Sequence, residues 1–118
     1  MTADEWLEKA EQDFEAAEAM KQSGFYSQAA FLYQQAAEKG LKALLVAEEK
    51  GVKQTHDCFV LAREANAEED VKESANSLSP YYFRTRYPDT GLLDLTEDEI
   101  SKVEEDAEVI LEWVREKL

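Results

Sequence analysis

A chain of 118 residues can enclose one hydrophobic core but not two, so a single domain spanning 1–118 is expected. Four Gly and two Pro are too few for a sheet-rich protein, and the surplus of Ala, Glu, Lys and Leu points to an all-α fold. The formal net charge of −14 argues against non-specific coating of nucleic acid, although screening over about 10 Å leaves a local cationic site usable.

The acid sits at the ends: seven acidic residues against two basic over 1–22, and eleven against three over 88–118. Such faces keep a protein soluble or dock a basic partner. The first helix is predicted over Ala3–Gln22. Thr2 and Glu5 have capping-box spacing, and Gly24 follows as a stop. Trp6, Leu7, Ala10, Phe14, Ala17 and Met20 form its apolar stripe, with Glu8, Glu11, Glu15 and Glu18 opposite.

The second helix begins near Tyr26 and ends before Gly51. Its apolar positions, from Ala29 to Ala47, cover more than one stripe, so it is the central helix with two neighbours. Gly40 in mid-helix costs up to about 1 kcal/mol against Ala unless close packing recovers it, which marks it as a contact point. Gln35, Glu38 and Lys42 fall on one line of this helix, with Lys39 beside them.

Thr55 is expected to cap a short helix over 56–66. A second short helix runs from Glu68 toward Phe83, with a kink or break at Ser79 imposed by Pro80. Residues 88–95 read as a loop. Thr96 and Glu99 repeat the capping box and open a last helix, whose stripe is Ile100, Val103, Ala107, Ile110, Leu111 and Val114; Glu104, Glu105, Glu108 and Glu112 are expected to face water. Three long and two short helices with short connections predict an up-and-down antiparallel helical bundle.

Little conventional chemistry is visible. His56 and Cys58 are too few for a zinc site, no metal or other cofactor is expected, and the glycines at 24, 40, 51 and 91 stand singly. One Cys excludes an internal disulfide. The N-terminal stretch lacks the basic and apolar regions of a secretory leader, so a cytoplasmic protein is expected. The longest strictly apolar run, "ALLVA" at 43–47, is far short of the roughly 18 residues of a membrane span, so no membrane partner is expected.

The stretch "SPYYFRTRYPDTG" at 79–91 breaks the composition of the rest. Arg84 and Arg86 are two of the four Arg in the chain. They can serve as packing partners of nearby acids. They can also form an Arg–aromatic pocket in which guanidinium groups fork onto phosphate and tyrosine rings stack on a base.

"QQAAEKGLKALL" at 34–45, "THDCFVLAREA" at 55–65 and "YYFRTRYPD" at 81–89, in that order, resemble the HEPN domain family, specifically a branch carrying Arg-Tyr-Pro-Asp. The resemblance extends over nearly the whole chain. It implies a bundle of about five helices, usually a homodimer, often paired with a minimal nucleotidyltransferase in toxin–antitoxin-like systems and associated with nucleotide or RNA binding. Many members are metal-independent ribonucleases that use Arg followed four to six residues later by His. Here Asp89, Thr90 and Gly91 follow Arg84 at those distances, and Gly91, Leu92 and Leu93 follow Arg86.

The resulting expectation is a non-catalytic binding module. Its candidate ligand-binding residues are Arg84, Arg86 and Tyr87, with Lys39, Lys42 and His56 contributing from neighbouring helices. The alternatives are a diverged ribonuclease using His56 or Asp89 as proton carrier, and an acidic interaction protein without a ligand.

Overall fold

In a computed structural model the structure describes residues 1–84 and 94–118. Its elements are α1 (Ala3–Gln22), α2 (Tyr26–Ala47), α3 (Cys58–Glu64), α4 (Glu69–Leu78), the four-residue α5 (Tyr81–Arg84) and α6 (Glu97–Lys117). There is no strand among the described residues, and the fold is the all-α bundle that the periodicity predicts.

Local chemistry sets the ends of the long helices. Thr2 and Thr96 both form complete capping boxes with Glu5 and Glu99, so two amide donors are satisfied at each start. Gly24 takes the left-handed conformation at φ 82°, and Phe25 N donates back to Met20 O at 2.9 Å, closing α1.

Of the two short elements, the first departs from the expected limits and the second breaks where expected. Asp57, not Thr55, caps α3: its carboxylate accepts from Phe59 N at 2.9 Å and Val60 N at 3.4 Å. Thr55 sits one step further out, where its hydroxyl accepts from Asp57 N. At Pro80 the predicted fourth helix breaks, because proline has no donor to continue the ladder, and a single turn restarts as α5. Ser79 bridges the break, its hydroxyl donating to Asp57 at 2.8 Å while its amide still bonds Ala75 O. Of the loop expected over 88–95, residues 88–93 lie outside the described residues.

The long helices are ordered by contacts along their lengths. Glu18 faces Tyr33 and Asp13 faces Lys39, so α1 and α2 run antiparallel. Lys21 meets Glu104 and Glu11 meets Arg115, so α1 is antiparallel to α6 as well. The α3–α4 excursion returns the chain so that α6 enters alongside α2 in the same direction, Tyr33 meeting Glu104 and Gly40 meeting Leu111. Tyr33, Leu41, Leu44, Leu61, Leu78, Ile100 and Ile110 fill the core. No helix among the described residues is long and apolar enough to cross a membrane.

Candidate functional site

A four-residue step on a helix places side chains one above another, and α2 uses it to stack Gln34, Glu38 and Lys42. All three are buried, at 0%, 3% and 7% exposure. A buried carboxylate is costly unless paired and hydrogen-bonded. Glu38 meets that demand with Lys42 Nζ at 3.0 Å, the side-chain amides of Gln34 and Gln35 at 3.4 Å each, and His56 Nδ1 at 3.0 Å. The Lys42 ammonium also lies 5.5 Å from the centre of the Trp6 ring of α1.

This buried line holds His56 in place. Gln34 Nε2 donates to the His56 backbone carbonyl at 2.9 Å, which pins the segment leading into α3. A carboxylate only accepts, so Nδ1 is the donor of this pair, and in the neutral tautomer that makes this bond Nε2 is the acceptor. The His56 side chain is 47% exposed. Its ring stacks on Tyr82, with centroids 3.9 Å apart and planes at 10°. Tyr82 in turn contacts Phe31 at 5.9 Å and Phe83 edge-on at 5.0 Å. The break at Pro80 matters here, since the separate turn α5 carries Tyr82, Phe83 and Arg84 together against α2.

Phe31 connects this edge to an open cleft of about 670 Å³ beside the α1–α2 turn, lined chiefly by Met20, Phe25, Tyr26, Phe31, Leu32 and Leu95. That volume lies within the range of small-molecule sites, about 300–1,000 Å³.

Of the residues singled out from the sequence, the structure brings Lys42 and His56 together through Glu38. Arg84 is exposed at the end of α5, two residues beyond Tyr82. Lys39 is turned the other way, its ammonium 2.6 Å from Asp13, where it ties α2 to α1. Arg86 and Tyr87 lie outside the described residues. Gln34, rather than Gln35, is the deepest amide of the polar line. Its signal was the unbroken four-residue spacing to Glu38 and Lys42.

A second polar cluster joins the three long helices. The expectation that Glu18 and Glu104 face water is overturned: both are half-buried against Tyr33, whose hydroxyl reaches Glu18 and lies 3.1 Å from Glu104. Burial, together with the hydrogen bond to Glu104, raises the Glu18 pKa above 4.5. The hydrogen bond from Glu18 and the Lys21 ammonium at 2.7 Å hold Glu104 below it. The Tyr33 phenol is pushed far up by burial and by these carboxylates. The Cys58 thiol, fully buried, is also pushed up by burial and by nearby Glu38, which makes it a packing residue rather than a nucleophile. No group of three or more His, Cys, Asp or Glu is placed to hold a metal among the described residues.

Fold and surface together define a small all-α bundle domain with a buried charge line beneath an exposed imidazole–aromatic edge. The chain belongs to the HEPN domain family, which matches residues 3–117 and is associated with nucleotide and RNA binding. It is similar to TT1696 from Thermus thermophilus, whose crystal structure has 34% identity and a TM-score of 0.90, with 98% of each chain covered. It is also similar to ST0689, described as an archaeal HEPN homologue, at 32% identity and a TM-score of 0.83, covering 98% of this chain and 97% of that one. No curated protein matches it significantly.

Proposed function

We propose that this chain is a non-catalytic HEPN module that binds a nucleotide or RNA along the edge made by α2, the start of α3 and α5. The observation that carries the reading is the stacking of His56 on Tyr82 above Glu38. A half-exposed imidazole backed by an aromatic ring offers a flat surface for a base, and ionic pinning from below lowers the ordering cost of binding. Arg84 and Arg86 supply guanidinium forks for phosphate, and Tyr87 orients them or stacks. Lys42 acts from beneath as the 3.0 Å partner of Glu38, and Lys39 supports the seam with α1.

The test is fluorescence anisotropy with fluorescein-labelled single-stranded oligo(A) and oligo(U). Arg84→Ala and Arg86→Ala are each expected to weaken binding about tenfold, and Tyr82→Ala by a similar factor, since a stacked base or charge-assisted contact contributes about 1–3 kcal/mol. Unchanged affinity with lowered stability would assign the arginines to packing.

The module is further proposed to act as a cytoplasmic homodimer beside a minimal nucleotidyltransferase in a toxin–antitoxin-like pair. Phe25, 54% exposed at the α1–α2 turn, is apolar surface that such contacts would cover. Sedimentation equilibrium tests the dimer, and co-purification with an adjacent small nucleotidyltransferase tests the partner. The Glu38–His56 hydrogen bond favours one alternative, residual ribonuclease action with the acceptor Nε2 as base. Metal-free cleavage of labelled RNA that His56→Ala abolishes is the result that reading requires.

A further inference from the structure

A base stacked at His56 uses the face of the imidazole and leaves its edge unused. His56 is the single histidine of the chain. Its Nδ1 lies 3.0 Å from Glu38 Oε1 and 3.3 Å from Oε2, so both carboxylate oxygens are turned to one ring nitrogen. The carboxylate is buried, whereas the imidazole is exposed. Among the described residues no hydrogen bond reaches Nε2.

Three contacts hold the ring. Gln34 Nε2 bonds the His56 carbonyl at 2.9 Å, Glu38 fixes Nδ1, and the Tyr82 ring lies nearly parallel at 3.9 Å. Each removes freedom that a surface histidine ordinarily keeps. The neighbouring acids are already engaged. Glu38 is ion-paired with Lys42 at 3.0 Å, and the Asp57 carboxylate accepts from Phe59 N at the start of α3 and from Ser79 Oγ. An incoming anion therefore meets carboxylates that have partners.

This is the arrangement of an activated nucleophile, in which a third group orients the ring. The neutral tautomer that bonds Glu38 through Nδ1 presents its lone pair at Nε2. When Nε2 forms a bond, positive charge grows on the ring, and the carboxylate 3.0 Å from Nδ1 stabilises it. An acyl group would need donors for a tetrahedral oxyanion. Phosphoryl transfer needs mainly positioning and an in-line approach, which a fixed, exposed ring supplies.

We propose that Nε2 of His56 is a phosphoryl acceptor, loaded from a donor of the phosphoramidate class such as a phosphohistidine on another protein. The Nε2 lone pair attacks phosphorus in line with the departing nitrogen. The Nε2–P bond forms as the donor's P–N bond breaks, and the leaving nitrogen base keeps that electron pair. The Nδ1 proton stays on the ring, bonded to Glu38, so the product is a phosphorylated imidazolium facing a carboxylate. The modification does not depend on nucleotide or RNA binding at this edge.

The experiment incubates the full chain with potassium phosphoramidate and follows phosphorylation by intact mass and by ³¹P and ¹⁵N NMR. One phosphoryl group is expected on His56 Nε2, absent from His56→Gln, and acquired about tenfold faster than by acetyl-histidine methylamide. Glu38→Gln is expected to slow the reaction to the rate of that reference compound, with an unchanged circular dichroism spectrum verifying its fold. The comparison with the reference uses the unaltered chain and holds whether or not that variant folds. No phosphorylation, phosphorylation at Nδ1, equal phosphorylation of His56→Gln, a rate no faster than the reference, or an undiminished rate in folded Glu38→Gln overturns the proposal.

Discussion

Gly40 of α2 and Leu111 of α6 are so close that a Cβ on Gly40 would stand 2.7 Å from Leu111 Cδ2. Leu111 is 1% exposed and has little space into which to yield. Gly40→Ala gains up to about 1 kcal/mol of helix propensity but incurs an overpacking cost of about 1–3 kcal/mol. A net loss of about 1 kcal/mol is expected, read as a lower urea midpoint with an unchanged m-value.

Glu38 lies beneath His56 and beside Lys42, with Lys42 Nζ 3.0 Å away. Glu38→Ala strands the Lys42 ammonium in a buried position and should cost about 3–5 kcal/mol. Lys42→Met should cost less, because Glu38 keeps His56, Gln34 and Gln35 as donors. Comparing the denaturant midpoints of the two variants checks the order.

The Glu18–Tyr33–Glu104 cluster makes stability depend on pH in two directions. The folded pKa of Glu18 is above 4.5, so its contribution is complete below that value and is lost as pH rises through the folded pKa. Glu104 has the opposite sign: its contribution is present above 4.5 and is lost as pH falls through its lowered folded value. Glu18→Gln keeps the protonated shape without a titrating proton. It should flatten the decline on the neutral side and leave the acid arm, as measured by urea unfolding across the acidic to neutral range.

Asp57 caps α3 and also accepts from Ser79 at the α4–α5 break. Asp57→Ala should therefore cost about 1–2 kcal/mol, more than Thr55→Ala, which removes only the bond from Asp57 N. Thermal unfolding of both variants distinguishes them. Asp57→Ala should also loosen Tyr82 and so weaken the RNA binding proposed for this edge, whereas Thr55→Ala should affect it less.

Much of the fold was legible because its signals are local. The capping boxes at Thr2 and Thr96 need only three-residue spacing, and the core stripe of α6 needs only helical period. The misplaced cap at α3 shows where locality fails. Thr55 and Asp57 are both good capping residues, and the choice fell to Asp57, which also holds Ser79, 22 residues away.

The candidate site was legible in part. His56 and Lys42 were marked by type, but nothing in sequence joins them, since Glu38 connects residues on separate helices. Glu18 and Glu104 looked like solvated acids because periodicity places a side chain on a face and cannot say what closes over it. By itself the sequence determined the helices, the central role of α2, the contact at Gly40 and membership of a family, all from short-range pattern. Only the tertiary structure decided which charges are buried, which imidazole nitrogen faces a carboxylate, and which aromatic lies against it. Those outcomes depend on desolvation and pairing between helices, and these arise only when the helices meet.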